Sequence, residues 1–499
     1  MDTVDTLGRA VTMDAAVRGL RDALDAFLPP DCLRDDDDSL RAYAADWSWP
    51  AVNAEAAGMP QGRPDLVARP RDTRDVQTIV RLAARHGVPL VPWGAGTGVQ
   101  GASVATRGGL VVDLRGLDGI RAVNEQAMTA TVEAGLICDR FEEALNQRGL
   151  TFPHYPASSW LSTVGGYVAC RGAGVMSTRY GKIEDLVLSL EVVLPDGSLI
   201  DTLPVPRHAC GPDLAGLFIG SEGTLGVITA ATVRIKPLPA ARIFRALAFP
   251  DLAAGLEAGR RMMHDGLRPP VMRLYDAAAA AHSLGRAVGV ALDGPTTVLG
   301  FEGRRELVEV EAALAVEHAL ACGGRELAPA IGEAWWEHRF DFYHPPHYPT
   351  LPTIWGTIDV VATYDRIMPA YEAMQAALVG RFSQYDLRLT THLSHWYDWG
   401  TMLYARVTIP RGPDDPAAAF ALNEEIWQAG VGAALDAGAV INDHHGLGLK
   451  LAPFLKRQYG TAYPTLMAVK RALDPGNIMN PGKWLEDYEV ESRKSKVES

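Results

Sequence analysis

Cysteine is scarce in this sequence, and it never occurs at the spacings that give it a structural role. Cys32, Cys138, Cys170, Cys210 and Cys322 are scattered along 499 residues without a C-x-x-C pair. This pattern excludes a disulfide framework and a thiolate zinc site. It favours a reducing compartment, and the sequence therefore predicts a cytoplasmic protein.

Long apolar runs and an excess of basic charge are also missing. No stretch approaches the run of about 18 apolar residues that would predict a transmembrane segment, and the first residues lack the basic start and apolar core of a signal peptide. The formal net charge is −13. Because phosphate neutralisation needs a basic face, this charge argues against nucleic acid as a partner.

Two common nucleotide-binding motifs are absent as well. A G-x-G-x-x-G fingerprint starting at Gly94 would need glycine where the chain has Val99, and the following segment reads as strand instead of helix. A P-loop, G-x-x-x-x-G-K-[ST], does not occur either. The glycines of this chain are therefore arranged for some other nucleotide cofactor.

Three segments rich in glycine and other small residues are present, at 94–101, 162–174 and 220–229. Each lies beside an apolar, β-branched run that reads as strand, which predicts backbone close to something that side chains would exclude. Clustered backbone N–H groups can bind a pyrophosphate. One such loop alone could equally be a plain hairpin, but three together predict a large flat cofactor.

The alternation of helical and strand-like segments predicts an α+β protein of more than one domain. Residues 73–87 and 138–149 have helical periodicity, and 186–200 reads as a hairpin with Asp-Gly at its turn. Beyond 236–240 the glycine loops disappear. Longer helices are predicted there, at 251–265, 304–323, 366–382 and 414–437, which suits a separate cap domain.

As a set, six motifs of the chain resemble the vanillyl-alcohol oxidase/p-cresol methylhydroxylase (PCMH) superfamily of FAD enzymes. In order across residues 64–485 they are WGAGTG, PASSWLSTVGG, RYGKIEDLV, GSEGTLGVIT, DHHGLG and DPGNIMNPGK. Within the superfamily the chain looks most like alkyldihydroxyacetonephosphate (alkylglycerone-phosphate) synthases and, more distantly, D-lactate and glycolate dehydrogenases.

The resemblance implies a fold of class α+β, with a PCMH-type FAD-binding domain and an α+β cap domain for the substrate. The implied bounds are an N-terminal helical extension at 1–63, the FAD-binding domain at 64–240, the cap at 241–450 and a C-terminal segment at 451–499 that returns to the FAD-binding domain.

By resemblance, the FAD lies against the three glycine-rich segments. The first would wrap the pyrophosphate, the second would line the ribityl and isoalloxazine region, and the third would reach the adenosine half. The implied residues are Pro92, Trp93, Gly94, Ala95, Gly96, Thr97, Gly98, Ala157, Ser158, Ser159, Trp160, Leu161, Ser162, Thr163, Cys170, Arg171, Gly172, Ala173, Glu222, Gly223, Thr224, Leu225, Gly226, Val227 and Ile228. Some members attach FAD through a histidine where this chain has Thr97, so noncovalent FAD is expected, with attachment through a cap residue left open.

His444 and His445 are the candidate catalytic bases, because imidazole titrates near neutrality and can remove a hydroxyl proton. The alternative is two polar residues in a tight turn. The synthases carry three consecutive histidines at this place, and here Asp443 stands at the first.

Three further residues are candidates by the same resemblance. Arg273 would hold a carboxylate or phosphate, unless it forms a surface salt bridge, and Tyr404 would exchange a proton with the substrate, unless it is a core tyrosine. A second substrate arginine of the synthases has no counterpart in the best match, and Arg339, a few residues earlier, could replace it.

A metal site is not expected. Metal-dependent 2-hydroxy acid dehydrogenases of this superfamily can show His-x6-His followed later by Glu-His-Gly. The chain has His392 and His395, but Met402 stands seven residues beyond His395, and His444 replaces the glutamate. Two expected ligands are therefore missing.

The leading hypothesis is an FAD-dependent oxidoreductase that oxidises a small hydroxylated substrate, a 2-hydroxy acid or alcohol, by hydride transfer to flavin N5. An anionic small molecule is the expected partner, and the oligomeric state stays open, a homodimer included. The alternative is redox-neutral alkyl transfer through a flavin N5 adduct, as in the ether-lipid synthases. A third hypothesis is a flavin-binding protein without catalysis.

Overall fold

The structure is a computed structural model that describes residues 14–341 and 349–483. Its helices are α1 Ala15–Asp25, α2 Asp37–Arg41, α3 Trp49–Ala56, α4 Thr73–His86, α5 Cys138–Asn146, α6 Val164–Cys170, α7 Ser177–Tyr180, α8 Ile183–Leu186, α9 Ala215–Phe218, α10 Leu252–His264, α11 Ala277–Ala279, α12 Gly285–Val288, α13 Arg305–Ala321, α14 Ala330–His338, α15 Tyr364–Gln375, α16 Pro416–Asp436, α17 Gly448–Tyr459 and α18 Tyr463–Leu473.

The strands follow the same order along the chain. They are β1 Leu33–Arg34, β2 Leu66–Ala68, β3 Leu90–Trp93, β4 Leu110–Asp113, β5 Ile120–Asn124, β6 Thr129–Glu133, β7 Leu150–Thr151, β8 Val187–Val193, β9 Leu199–Asp201, β10 Val227–Arg234, β11 Lys236–Pro237, β12 Ala241–Ala248, β13 Val271–Tyr275, β14 Thr296–Gly303, β15 Arg325–Glu326, β16 Ile354–Thr363, β17 Arg388–Trp396 and β18 Gly400–Ile409.

The first half of the chain builds two sheets. One has the order β1-β2-β4-β3, with β3 and β2 both parallel to β4, and the other has the order β5-β6-β10-β8-β9 with antiparallel neighbours. Helix α4 connects β2 to β3. Asp72 caps its start by accepting from the Asp75 backbone N–H at 2.9 Å, and Gly87 ends it at φ +66°. This helix, α5 and the hairpin β8–β9 confirm the sequence predictions.

The second small-residue segment, 162–174, differs from its prediction as a loop. It contains helix α6, whose first turn is capped by the Thr163 hydroxyl accepting from the Gly166 N–H at 3.2 Å. Position 165 of this helix needs glycine, because a side chain there would overlap Ala134. The small residues therefore let a helix pack directly on a strand end, which the local pattern alone does not distinguish from a turn.

The second half builds one large antiparallel sheet with the order β15-β12-β14-β13-β17-β18-β16. The four predicted helices of this half are confirmed as α10, α13, α15 and α16. Alternate residues of the central strands, such as Leu274, Leu393 and Leu403, belong to the same buried core as these helices. The intervening residues lie on the opposite face of the sheet, because successive side chains of a strand alternate.

Both ends of the described chain join the first sheet. Strand β1 pairs with β2, and helix α1 contributes Leu20 to the buried core that also contains Leu66 of β2. Near the other end, the Leu90 N–H donates to the Ile478 carbonyl at 2.7 Å. The predicted domain bounds stay proposals, and residues 1–13, 342–348 and 484–499 of those ranges lie outside the described residues.

Candidate active site

A cavity of about 720 Å³ lies between the glycine-rich segments of the first half and the open face of the large sheet. Such a volume falls within the range of cofactor and ligand pockets. The predicted catalytic residues all line it: Arg273, Arg339, Tyr404, His444 and His445. The fold therefore brings together residues that are far apart in the sequence; Arg273 and His445 are separated by 172 positions.

All residues of 92–98, the stretch expected to wrap the pyrophosphate, line the cavity. Gly96 has φ +65°, and a Cβ there would overlap the Trp93 ring. A Cβ on Gly94 would lie 2.5 Å from the Thr163 hydroxyl. Only glycine fits these positions, so the loop presents bare backbone to the cavity, as a pyrophosphate requires.

Thr97, which stands where some superfamily members carry a histidine, is already engaged by another side chain. Its hydroxyl lies 2.7 Å from the Ser162 hydroxyl. This contact joins the first glycine-rich loop to the second segment. Thr97 has no imidazole with which to form the histidine linkage to flavin.

The residues expected to line the ribityl and isoalloxazine region, 157–163 and 170–173, are divided between lining and supporting residues. Ala157, Ser158, Ser162 and Thr163 line the cavity, as do Cys170, Gly172 and Ala173. The remaining predicted residues, Ser159, Trp160, Leu161 and Arg171, are not among the lining residues. The Arg171 guanidinium instead donates to the Ile219 carbonyl at 3.1 Å, which ties the end of α6 to the residue just before the third segment.

The third segment likewise contains both residues that line the cavity and residues that do not. Glu222, Gly223, Gly226 and Ile228 line the cavity, whereas Thr224, Leu225 and Val227 do not. Glu222 has φ +50°, and its carboxylate accepts from the Gly448 backbone N–H at 3.0 Å at the start of α17. Burial raises the pKa of this carboxyl group to about 7, against the opposing effect of those backbone donors.

The open face of the large sheet carries a row of four side chains across four neighbouring strands. The register places Tyr275 opposite His392, His392 opposite Tyr404, and Tyr404 opposite Asp359. The rings of His392 and Tyr404 stack with centroids 4.7 Å apart. This row forms the floor of the cavity beneath the two consecutive histidines.

The two histidines are held by a fully buried carboxylate. His445 Nδ1 lies 2.7 Å from Asp359 Oδ1, and His444 Nδ1 lies 3.4 Å from Asp359 Oδ2 and 3.2 Å from Asp443 Oδ2. Burial acts to raise the pKa of Asp359, but the adjacent imidazoles outweigh it and keep that pKa below its ordinary value. Burial and the neighbouring His445 lower the pKa of His444.

Two groups of side chains here have the spacing of metal ligands. One is Asp359, His444 and His445, and the other is His395, Asp443 and His444. In the first group both imidazoles contact the Asp359 carboxylate. In the second, His444 contacts Asp443, and His395 Nδ1 contacts the Ser177 hydroxyl. The expectation that no metal is bound stays a prediction.

Arg339 lies at the cap side of the cavity, stacked 3.7 Å above the Trp336 ring. Its Nε is buried without a hydrogen-bond partner among the described residues. Burial, with a contribution from Arg242, lowers the pKa of this guanidinium to about 10. Arg273 lies 5.6 Å from the Trp335 ring.

Among the residues of the site that sequence reasoning missed are Asp359, Arg406 and Lys450. Arg406 follows Tyr404 by two positions in β18, so a strand period applied to TMLYARV would have found it. Lys450 Nζ lies 3.3 Å from the centre of the Trp427 ring, and burial lowers its pKa well below the ordinary value. Asp359 carries no local signal, because only the pairing of β16 with β18 brings it to the histidines.

Together, the bare-backbone loops and the sheet with its histidine pair define a two-domain flavoprotein of the PCMH type. Comparison with known families agrees: residues 64–203 match the FAD binding domain, and residues 238–484 match the C-terminal domain of FAD linked oxidases. The chain belongs to the FAD-linked oxidase family of this superfamily, and FAD is its cofactor. The glycine-lined cradle described above fits that group.

Relatives with different activities are about equally similar to the chain. The alkyldihydroxyacetonephosphate synthase of Trypanosoma brucei brucei is 28% identical over 459 residues, covering 86% of this chain and 74% of the relative. The glycolate oxidase subunit GlcD of Bacillus subtilis is 29% identical over 444 residues, covering 85% and 89%. These relatives therefore support an FAD-linked enzyme without deciding the reaction.

Solved structures support the fold. An alkyldihydroxyacetonephosphate synthase superposes with a TM-score of 0.76 at 23% identity, over 94% of this chain and 86% of that one. A p-cresol methylhydroxylase superposes with a TM-score of 0.74 at 17% identity, over 95% and 98%. No helix within 14–341 and 349–483 is long and apolar enough to cross a membrane. The cytoplasmic location and the homodimer remain predictions.

Proposed function

We propose that this protein oxidises a small hydroxylated anion, with His445 as the base that accepts the hydroxyl proton. The observation that carries the proposal is the 2.7 Å contact between His445 Nδ1 and the fully buried Asp359 Oδ1. Bound FAD would supply the two-electron acceptor for such an oxidation. The chain's own residues would bind and orient the substrate and take its proton.

The Asp359 contact selects one tautomer of His445. With the carboxylate ionised, Nδ1 carries the proton and donates it, so Nε2 is left as the acceptor. A carboxylate that orients an imidazole in this way also stabilises the imidazolium formed on proton transfer. His445 is therefore better prepared than His444 to act as the base.

His444 and Tyr404 would complete the polar side of the site. The His444 and His445 rings have centroids 4.1 Å apart, and the Tyr404 ring lies 5.5 Å from the His445 ring. A neutral His444, favoured by its lowered pKa, avoids repulsion with the imidazolium of His445. Tyr404 would donate its hydroxyl proton in a hydrogen bond to the reacting oxygen.

Arg273 would hold the anionic group of the substrate. It lies on the cavity face of β13, two residues before Tyr275 of the row described above, and forms no salt bridge within the described parts of the chain. A guanidinium binds a carboxylate through two parallel hydrogen bonds, which fixes both distance and orientation. Arg339 would act at a second position nearer the cap surface.

The three glycine-rich segments are proposed to hold the FAD noncovalently, with the lining residues in direct contact and the others in support. Thr97 supports the noncovalent assignment, because its hydroxyl is engaged with Ser162. Acid precipitation of the purified protein would then release FAD into the supernatant. Flavin retained in the pellet would contradict this part of the proposal.

Redox-neutral alkyl transfer is the second candidate, and the 28% identity to an alkyldihydroxyacetonephosphate synthase favours it. Asp443 weighs against it, because a carboxylate occupies the position of the first histidine of the synthases. Its Oδ1 accepts from the Tyr397 hydroxyl at 2.7 Å. Release of acyl groups from acyl-dihydroxyacetone phosphate, without lasting flavin reduction, would establish this candidate instead.

The test is the visible spectrum of the FAD-loaded protein under anaerobic conditions. D- and L-2-hydroxy acids, simple alcohols and glycerol phosphates are added in turn, and the flavin absorbance is followed. We expect one class to bleach it. His445→Asn should slow bleaching by about 10²- to 10⁴-fold, whereas His264→Asn, at an exposed histidine of α10, should leave the rate unchanged.

Two results would contradict the proposal. If none of the hydroxy compounds bleaches the flavin, oxidation is not the reaction. If the flavin of His445→Asn bleaches at the wild-type rate while that of His444→Asn does not, His444 is the base and the orientation of His445 by Asp359 does not identify it.

A further inference from the structure

Two neighbouring side chains of the row on the open sheet face have hydrogen-bonding groups that the described protein does not use. Tyr275 and His392 lie directly opposite each other on the neighbouring strands β13 and β17. Both line the cavity, and their ring centroids are 5.7 Å apart. One small group of a ligand can therefore contact both side chains.

The Tyr275 hydroxyl is anchored on one side and has an unused proton. Trp335 Nε1 donates to its oxygen at 2.7 Å in a buried contact. The O–H itself has no acceptor among the described residues. Because Tyr275 is only 6% exposed, an acceptor for this proton has to come from the contents of the cavity.

His392 presents the second unused group. Neither of its ring nitrogens has a hydrogen-bond partner within 14–341 and 349–483. Nε2 is buried in the protein, so Nδ1 is the nitrogen that a ligand in the cavity can reach. Burial lowers the pKa of His392 well below its ordinary value, and Arg273 adds to this effect. The imidazole is therefore neutral, and Nδ1 donates or accepts according to the tautomer.

The unused groups indicate what kind of ligand atom fits between them. Buried polar groups are almost always paired in folded proteins, so two unpaired groups that line one cavity indicate a bound partner. A hydroxyl is donor and acceptor at once, so it can accept from Tyr275 and pair with either tautomer of His392. A methyl group or a hydrogen atom at the same place leaves both side chains unpaired.

These two side chains are next to the proposed position of the oxidised carbon. The His392 ring stacks on Tyr404 at 4.7 Å, and the Tyr404 ring is 5.5 Å from that of His445. His392 is thus one strand spacing, about 5 Å, from the tyrosine proposed to contact the reacting oxygen. Two hydroxyl oxygens on a short carbon chain have a similar separation.

We infer that Tyr275 and His392 form a subsite for a neutral hydroxyl group, and that the substrate is polyhydroxylated, with a second hydroxyl close to the one that is oxidised. The inference rests on the proposed oxidation and names its substrate class. Trp335 is a positioning residue, because its indole N–H holds the Tyr275 oxygen. A site built for a hydroxyl rejects an analogue that lacks it, because the polar groups of the site are then left unpaired.

The test measures binding and needs no turnover. The FAD-loaded protein is first reduced with dithionite under anaerobic conditions, so that it cannot oxidise the ligand, and ligands are then titrated by calorimetry. Glycerate is compared with lactate, and glycerol with propylene glycol, because each pair differs by one neutral hydroxyl. In at least one pair, the wild-type protein should bind the compound with the additional hydroxyl about 10-fold or more tightly.

Variants assign the additional hydroxyl to its partners. Tyr275→Phe should weaken binding of the preferred compound by about 10- to 100-fold and that of its matched compound by less than about 3-fold. His392→Phe, which keeps an aromatic ring beside Tyr404, should have the same selective effect. Trp335→Phe removes the indole N–H and should lose part of the preference. The control is Tyr459→Phe, at an exposed tyrosine of α17, which should bind every ligand as the wild type does.

Equal affinities within both pairs in the wild-type protein would overturn the inference, and so would equal losses for both members of a pair in Tyr275→Phe and His392→Phe. Failure of the proposed oxidation is distinguishable from these results. If the preference depends on Tyr275 but no hydroxy compound bleaches the oxidised flavin, the subsite stands and the oxidation does not. If lactate and glycerate bleach the flavin and bind equally well, the oxidation stands alone.

Discussion

His154 is a titratable residue that the fold buries among aromatic side chains. It is 1% exposed, and both ring nitrogens are buried without hydrogen-bond partners among the described residues. Its neighbours are aromatic, with the Tyr167 ring centroid at 4.9 Å and that of Phe152 at 5.6 Å. Burial lowers the pKa of this imidazole to about 3, so the folded protein holds it neutral.

A pH dependence of stability follows from this shift. The unfolded chain binds a proton at His154 below about pH 6.5, while the folded protein does not until about pH 3, so stability falls as the pH drops through this window. At pH 5 the loss is about 2 kcal/mol. His154→Phe should remove it, which urea unfolding at pH 7 and pH 5 would measure.

His264→Phe is the control for that measurement, because His264 is exposed on α10. It should leave the acid sensitivity of the wild-type protein in place. An equal loss of stability between pH 7 and pH 5 in wild type and His154→Phe would contradict the assignment.

At the scale of elements, the turn before α17 positions both histidines. The Asn442 side-chain oxygen accepts from the backbone N–H groups of His444 and His445, each at 3.1 Å. Gly446 then turns the chain at φ +78°, and a Cβ there would overlap the Glu222 carboxylate. The turn is thus fitted against the third glycine-rich segment, and the position of the base depends on it.

Gly446→Ala should therefore cost more than backbone strain alone. Gly438 provides the comparison, because its φ is +90° but a Cβ would meet nothing closer than 3.5 Å. Gly438→Ala should destabilise the protein by about 1 to 2 kcal/mol, and Gly446→Ala by about 3 kcal/mol or more, with loss of FAD. Denaturant unfolding and FAD content measure the difference, and equal effects of the two substitutions would contradict the packing argument.

At the scale of the whole molecule, the segment around 46–53 joins the two walls of the cavity. The backbone N–H of Trp47 donates to the Gly96 carbonyl at 3.0 Å, and the indole Nε1 of Trp49 donates to the Thr353 carbonyl at 3.0 Å. Both tryptophans line the cavity. The segment precedes the two regions that match known families, 64–203 and 238–484, yet it connects the first glycine loop to the chain just before β16 of the large sheet.

Trp47→Ala is expected to weaken FAD binding by about 10-fold. The indole packs against Trp160 with ring centroids 5.7 Å apart, and a lost aromatic contact of this kind costs on the order of 1 kcal/mol beyond area burial. Fluorescence titration of the apoprotein with FAD measures the affinity. Trp399→Ala, at a tryptophan 53% exposed, is the control. Unchanged affinity in Trp47→Ala would show that this wall is not part of the cofactor site.

The sequence by itself determined many of the helices and strands and the class of cofactor. Helix α4 followed from its periodicity and its Asp and Gly ends, and the hairpin β8–β9 from its Asp-Gly turn, because these signals act within a few residues. The three glycine-rich segments indicated a large cofactor for the same reason, and the family matches confirm FAD. The histidine pair was also visible, as two adjacent residues of a chemically active type.

Only the tertiary structure decided how these residues are used. Asp359 meets His445 across 86 positions, and only the pairing of β16 with β18 brings it there. The small-residue segment 162–174 became helix α6, because its packing against Ala134, far away in the chain, outweighed a local pattern that also fits a loop. Long-range pairing selects one arrangement from many that local propensities allow, and it leaves no mark in the residues nearby.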